Sequence, residues 1–108
     1  MEKTILEVAT MFEDFDFLGS RDSGEILRKR IIELLETKDW QVVVDFQRID
    51  RVSHSFADEV FGLLYAKFGL DVIKRKIVLE NAQDNIKNLA NFVIKERARK
   101  NNASSRSK

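Results

Sequence analysis

The chain has 108 residues, 44% hydrophobic and 34% charged, enough for one compact domain and too little for a second. It holds no cysteine, which excludes disulfides and thiolate metal sites, and no apolar run long enough to span a membrane. The net charge of +1 hides an asymmetry: six basic residues and one acid between Lys95 and Lys108 make that stretch +5 and leave the rest at −4.

In chain order, TILEVATMF alternates in part and predicts a strand with Leu6, Val8, Thr10 and Phe12 on one face. EDFDFLGSRDSG fits either a loop or a turn near Glu13 and Asp14 leading into a short strand through Phe15 and Phe17. The second reading, a hairpin with the first strand, is favoured. Ser20, Asp22 and Ser23 are candidate caps for a first helix, and Asp22 has Glu25 at capping-box spacing. Leu27, Ile31, Leu34 and Leu35 give its apolar face, and the helix should end near Thr37, with KDW as a connector. Residues 41–46 carry three consecutive valines, the pattern of a central strand buried on both faces of a parallel sheet.

A second helix is predicted over 56–68, striped by Ala57, Val60, Phe61, Leu64 and Phe68, with Gly69 where a left-handed cap belongs. Ile77 to Leu79 form the heart of another strand after the charged KRK. Asn81, with Asp84 three residues on, caps a third helix striped by Ile86, Leu89, Ala90 and Val93. NNASSRSK has nothing to bury, so a domain over 1–96 and a disordered basic tail over 97–108 are expected. Alternating strands and helices predict an α/β fold, a mostly parallel central sheet of about four strands with three helices. The groove of such a sheet lies beyond the carboxyl ends of its strands. RVSHSFADEV, residues 51–60, falls there.

That stretch offers two hydroxyls at a strand-to-helix junction. Ser55 reads as the better helix cap, because Asp58 follows at the spacing of a capping box; such a cap contributes about 1 kcal/mol. Ser53, with Phe56 three residues on, has no such role and is expected in an exposed loop. A phosphate on either serine would bring about two negative charges to free helix amides. Arg48 and Arg51 are near enough in sequence to pair with it, while Asp45, Asp50 and Asp58 would repel it. His54, the sole histidine, is read as a solvent-facing loop residue, since no strained G-x-S-x-G elbow surrounds it. The aspartates match no metal loop and GSRDSG lacks the lysine of a phosphate loop. No catalytic residue, metal or cofactor is expected, and the chain is not read as an enzyme.

VVVDFQRIDRVSHSFADEVFGLL resembles the core of STAS domains (sulphate transporter and anti-sigma-factor antagonist) and, more closely, a STAS-like family of unknown function. Members of that family carry a strand ending in Asp-Phe, here Asp45 and Phe46, then Ser-Phe-Ala-Asp-Glu opening a helix, here Ser55 through Glu59. SRDSGEILRKRI and IVLENAQDNIKNL are similar too, so the likeness covers about residues 4–95. It implies a STAS-like fold. In antagonists of this type a serine at the junction is phosphorylated by a kinase with a histidine-kinase-like ATPase fold, a role that falls by position on Ser55 or Ser53. Those antagonists carry Asp-Ser-Ser-Gly where this chain has Ser53-His54-Ser55-Phe56.

The leading expectation is a cytoplasmic, monomeric regulatory module for signal transduction. It docks a protein partner at the amino end of the second helix through Asp45, Arg48, Arg51, His54, Phe56 and Asp58, and serine phosphorylation switches it. Two alternatives stay open: nucleic-acid binding by the third helix and basic tail, and a small anionic ligand or nucleotide at the strand ends.

Overall fold

The computed structural model describes residues 3–13, 15–37 and 41–106, with side chains described up to residue 100. The KDW connector and Asp14 of the predicted turn lie outside the described residues. The chain order is β1 (Lys3–Glu7), α1 (Val8–Met11), β2 (Phe17–Leu18), α2 (Arg21–Thr37), β3 (Gln41–Asp45) and β4 (Arg51–Val52). Then come α3 (His54–Ala57), a π-helical segment (Asp58–Gly62), α4 (Leu63–Phe68), α5 (Leu70–Lys76), β5 (Ile77–Glu80) and α6 (Asp84–Arg106).

The valine run forms the centre of the sheet. β1 and β5 both pair parallel to β3, giving the order β1-β3-β5, with Leu6, Val44 and Leu79 in one register row and Ile5, Val43 and Val78 in the next. Val42, Val43 and Val44 are all at most 1% exposed, as a strand buried on both faces requires. Val42 and Val44 join Leu6, Leu27, Ile31, Phe56, Val60, Leu64 and Ile86 in one core. Helices α2 and α6 pack on either side of the π segment, so the continuous helical stretch from His54 to Phe68 is the middle member of a helical layer.

Instead of a single sheet of about four strands, the described residues form this three-stranded sheet and a separate two-stranded ladder. Phe17 and Leu18 do form a strand, but β2 pairs parallel with β4 and makes no hairpin with β1. The reason lies at the end of β1: after Glu7 the chain turns into α1, with the Phe12 amide donating to the Val8 carbonyl and Thr10 Oγ1 to Glu7 Oε1. Val8 and Thr10 therefore leave the strand, and residues 15–18 are carried to β4, where the Asp16 carbonyl accepts from the Asp50 and Arg51 amides.

Helix starts differ from expectation in detail. Ser20 caps α2, its Oγ accepting from the Ser23 amide at 3.0 Å, so Asp22 sits inside the first turn and its capping-box spacing goes unused. Asn81 does not cap α6. It takes a left-handed conformation, φ 55°, and its amide donates to Asp45 Oδ1, while the Gln83 carbonyl accepts the first α6 amides, from Ile86 and Lys87. At Gly69, φ +86° lets α4 end with the Gly69 amide on the Tyr65 carbonyl and α5 begin at the next residue, a helix the sequence reading did not include. α6 runs on to Arg106, ten residues beyond the boundary expected at residue 96.

Candidate functional site: the amino end of α3

Ser53, not Ser55, caps the central helix. Its Oγ accepts from the Phe56 amide at 3.0 Å and donates to the Gly19 carbonyl at 2.8 Å, and its own amide donates to the Leu18 carbonyl at 3.0 Å. Both functions of the hydroxyl are thus committed, one to the helix and one to the chain leaving β2. The expected exposed loop position of Ser53 is corrected accordingly: the helix starts at His54, two residues earlier than predicted, because β2 stands ready to receive the cap's donor. Ser55 falls in the first turn, half-buried, and its hydroxyl makes no hydrogen bond among the described residues. Asn85 at the start of α6 completes the junction by accepting from the Val52 amide at 3.1 Å.

The expected partner of Ser55, Asp58, is occupied elsewhere. Arg97 grips it from α6 with both arms, Nε to Oδ1 at 2.7 Å and Nη2 to Oδ2 at 2.8 Å, and Arg21 from α2 adds 3.2 Å to Oδ2. Only 7% of Asp58 is exposed. The hydrogen bond from Arg97 is the main influence holding its carboxyl below the usual carboxylate range, against the opposing effect of burial. Glu59 next door receives Arg21 at 3.0 Å and Arg28 at 3.0 Å, and Arg28 also donates to the Glu59 backbone carbonyl. The Asp-Glu pair of the Ser-Phe-Ala-Asp-Glu motif therefore ties α2 and α6 to the central helix.

Two glycines make room for this lock. A methyl group at Gly62 would overlap Asp58 Oδ1 and lie 2.7 Å from Arg97 Nε. A methyl at Gly24 would stand 2.8 Å from Glu59 Cβ and 3.1 Å from the Phe56 carbonyl oxygen. Asp58 and Gly62 bound the π segment, so the local widening of the helix coincides with the place where the Arg97 fork enters.

Of the residues expected at a partner surface, Phe56 is wholly buried and Asp58 is ion-paired in the helical layer, so neither faces a partner. Arg51 and His54 do. Arg51 lies 5.5 Å over the ring of Phe17, and His54 meets Phe92 of α6 edge-on at 5.7 Å, with its Nε2 3.5 Å from Glu96 Oε1. Phe17 and Phe92 are 47% and 49% exposed, high for phenylalanine. Both belong to the candidate surface; Phe17 falls in the Phe12, Phe15 and Phe17 cluster, whose exposed members suggest an interface, whereas Phe92 carries no such expectation from sequence. The available signal was that Phe92 stands off the apolar stripe of its helix.

Asp45 and Arg48 sit apart, at the carboxyl end of β3. Asp45 Oδ1 accepts from the Gln47 amide and from Asn81, both at 2.9 Å. Arg48, at φ 73°, occupies the tight turn closed by the Ile49 amide on the Phe46 carbonyl. It borders a cleft of about 490 Å³ with Ala9, Thr10, Glu13, Phe15 and Asp16, and a smaller one of about 230 Å³ with Asp16, Asp50 and Asn81. Acids outnumber bases in both linings. Among the described residues no group of His, Asp and Glu is placed to hold a metal ion, and no helix is long and apolar enough to cross a membrane.

A parallel sheet, a covering helical layer and a serine junction at the start of the middle helix define a small α/β domain of STAS-like kind. Residues 23–87 match the model of the family described as a STAS-like domain of unknown function, and the chain belongs to that family. No curated protein and no solved structure matches the chain.

Proposed function

We propose that this domain is a non-enzymatic regulatory module that docks a protein partner on the amino end of α3. One observation carries the reading: Phe17, Arg51, His54 and Phe92 stay accessible around a helix start where Ser53, Phe56 and Asp58 are committed to the fold. Exposed aromatic rings beside an arginine and a histidine are the composition of an interface anchor rather than of a solvated face. By its STAS resemblance the partner is a serine kinase with a histidine-kinase-like ATPase fold. Of the two serines Ser55 is the acceptor that fits, because phosphate on Ser53 would displace both the Phe56 amide and the Gly19 carbonyl from its oxygen. Phosphate on Ser55 would add about two negative charges at the helix start, flanked in sequence by Arg51 and His54, and change what the surface attracts.

The other two readings draw less support. Arg97, counted among the bases of a nucleic-acid-binding tail, is bound to Asp58, and around each of the strand-end clefts that would take an anion two acids stand against one base, Arg48. The test uses a purified serine kinase of the histidine-kinase-like ATPase fold as the partner. Arg51→Glu and Phe92→Ala should each weaken its binding at least about tenfold, while Ile26→Ala, also at an exposed apolar residue, should leave it unchanged. With ATP present, phosphate should appear on Ser55 and vanish in Ser55→Ala. Equal binding by all three surface variants would move the docking site elsewhere.

A further inference from the structure

We infer that two copies of this chain associate through the free edge of β1, antiparallel about Ile5. β1 has β3 on one side and no strand on the other among the described residues, so one edge of its backbone is open to pairing. Lys3, Ile5 and Glu7 share the face turned away from the core, since Leu6 between them is buried, and all three are exposed. Ile5 is 58% exposed, ahead of the other exposed large aliphatic side chains, Ile26 and Leu70.

The order of these three residues makes the edge self-complementary. When two such strands pair antiparallel with Ile5 on the two-fold axis, Lys3 of each copy faces Glu7 of the other and the two Ile5 side chains meet between them. Neither charge has an ionic partner among the described residues of its own chain. Glu7 instead stands in register with Asp45 and Glu80, a row of three acids across the sheet. Like charges opposite each other weaken a sheet, and a lysine from the second copy at the end of that row would offset them. Charges that only guard an edge against pairing would repel their own copy, and these attract it. Beside the strand, Ile5, Leu6, Glu7, Thr10 and Met11 line a mainly apolar groove of about 370 Å³, further surface for the second copy to cover. The product is one six-stranded sheet, in place of the monomer expected from the sequence. A five-residue edge belongs to the small, transient class of interfaces, so the dissociation constant should be on the order of 100 μM.

Sedimentation velocity on the whole chain, across a concentration range spanning that value, tests the inference. Lys3→Glu places Glu opposite Glu7 at both ends of the interface and should weaken the dimer about tenfold or more, as should Glu7→Lys; the double exchange should restore it. All of these positions are exposed, and circular dichroism checks that each variant is folded. Because the chain has no cysteine, Ile5→Cys should cross-link copies under mild oxidation while Phe92→Cys should not. A chain that stays monomeric throughout the range overturns the inference. So does a dimer that ignores the charge exchange or fails to cross-link at position 5.

Discussion

Arg97→Ala gives the sharpest test of the ion-pair lock. The guanidinium supplies two of the three hydrogen bonds on the Asp58 carboxylate, and without it Oδ1 has no partner while Oδ2 keeps only Arg21 at 3.2 Å. Stranding one partner of a fully buried pair costs roughly 3–5 kcal/mol. The Asp58 side chain is 10% exposed but that of Arg97 is 32%, so water can enter the vacated space, and a discount to about 2 kcal/mol is appropriate. In a domain of this size that is a substantial share of a total near 5–15 kcal/mol, and it should lower the melting temperature by roughly 10 °C. The loss should also depend on pH. The carboxyl of Asp58 is held below its ordinary value, so its contribution is present above the unfolded pKa of about 4 and is lost as pH falls through the lower folded value. Urea titrations of both proteins should show the full gap at neutral pH and a narrowing gap at acid pH. A gap below about 0.5 kcal/mol, or one independent of pH, would refute the reasoning.

Gly62→Ala should destabilise by about 2 kcal/mol through the same lock, and the Gly62→Ala, Arg97→Ala double variant should lose clearly less than the sum in a double-mutant cycle. Ser53→Ala should cost about 1–2 kcal/mol, since it removes the cap on Phe56 and the donor to Gly19, whereas Ser55→Ala should stay within about 0.5 kcal/mol; thermal melts separate them. Phe56→Ala should lose about 3–5 kcal/mol by leaving a cavity, which marks it as a core residue unsuited to probing a docking surface.

The parts of this fold that read well from sequence are those where one period dominates. Three valines at β3, the stripe of α2 and the stripe running from Ala57 to Phe68 each fill a face of the core, and their burial follows from composition alone. The junction read less well because its outcome is decided by distant groups. Ser55 and Asp58 have the spacing of a capping box, but Asp58 is taken by an arginine 39 residues away, and Ser53 gains the cap because the Gly19 carbonyl, 34 residues away, accepts its proton. The short β2 and β4 are two residues each, below the length at which alternation can be seen. α5 buries none of its residues and so has no stripe to detect. The motif itself was legible, and its division of labour was not: its acids serve the fold, and the accessible chemistry lies in aromatic and basic residues from β2, β4 and α6.

Hydrogen exchange of the chain alone and mixed with a serine kinase of the histidine-kinase-like ATPase fold would examine the proposed docking surface most directly. Slowed exchange should gather at residues 17–19 and 51–57 and along α6 around Phe92, with the outer face of β1 unaffected. Protection centred on the strand-end clefts or on α5, with the start of α3 exchanging as in the free chain, would contradict the account.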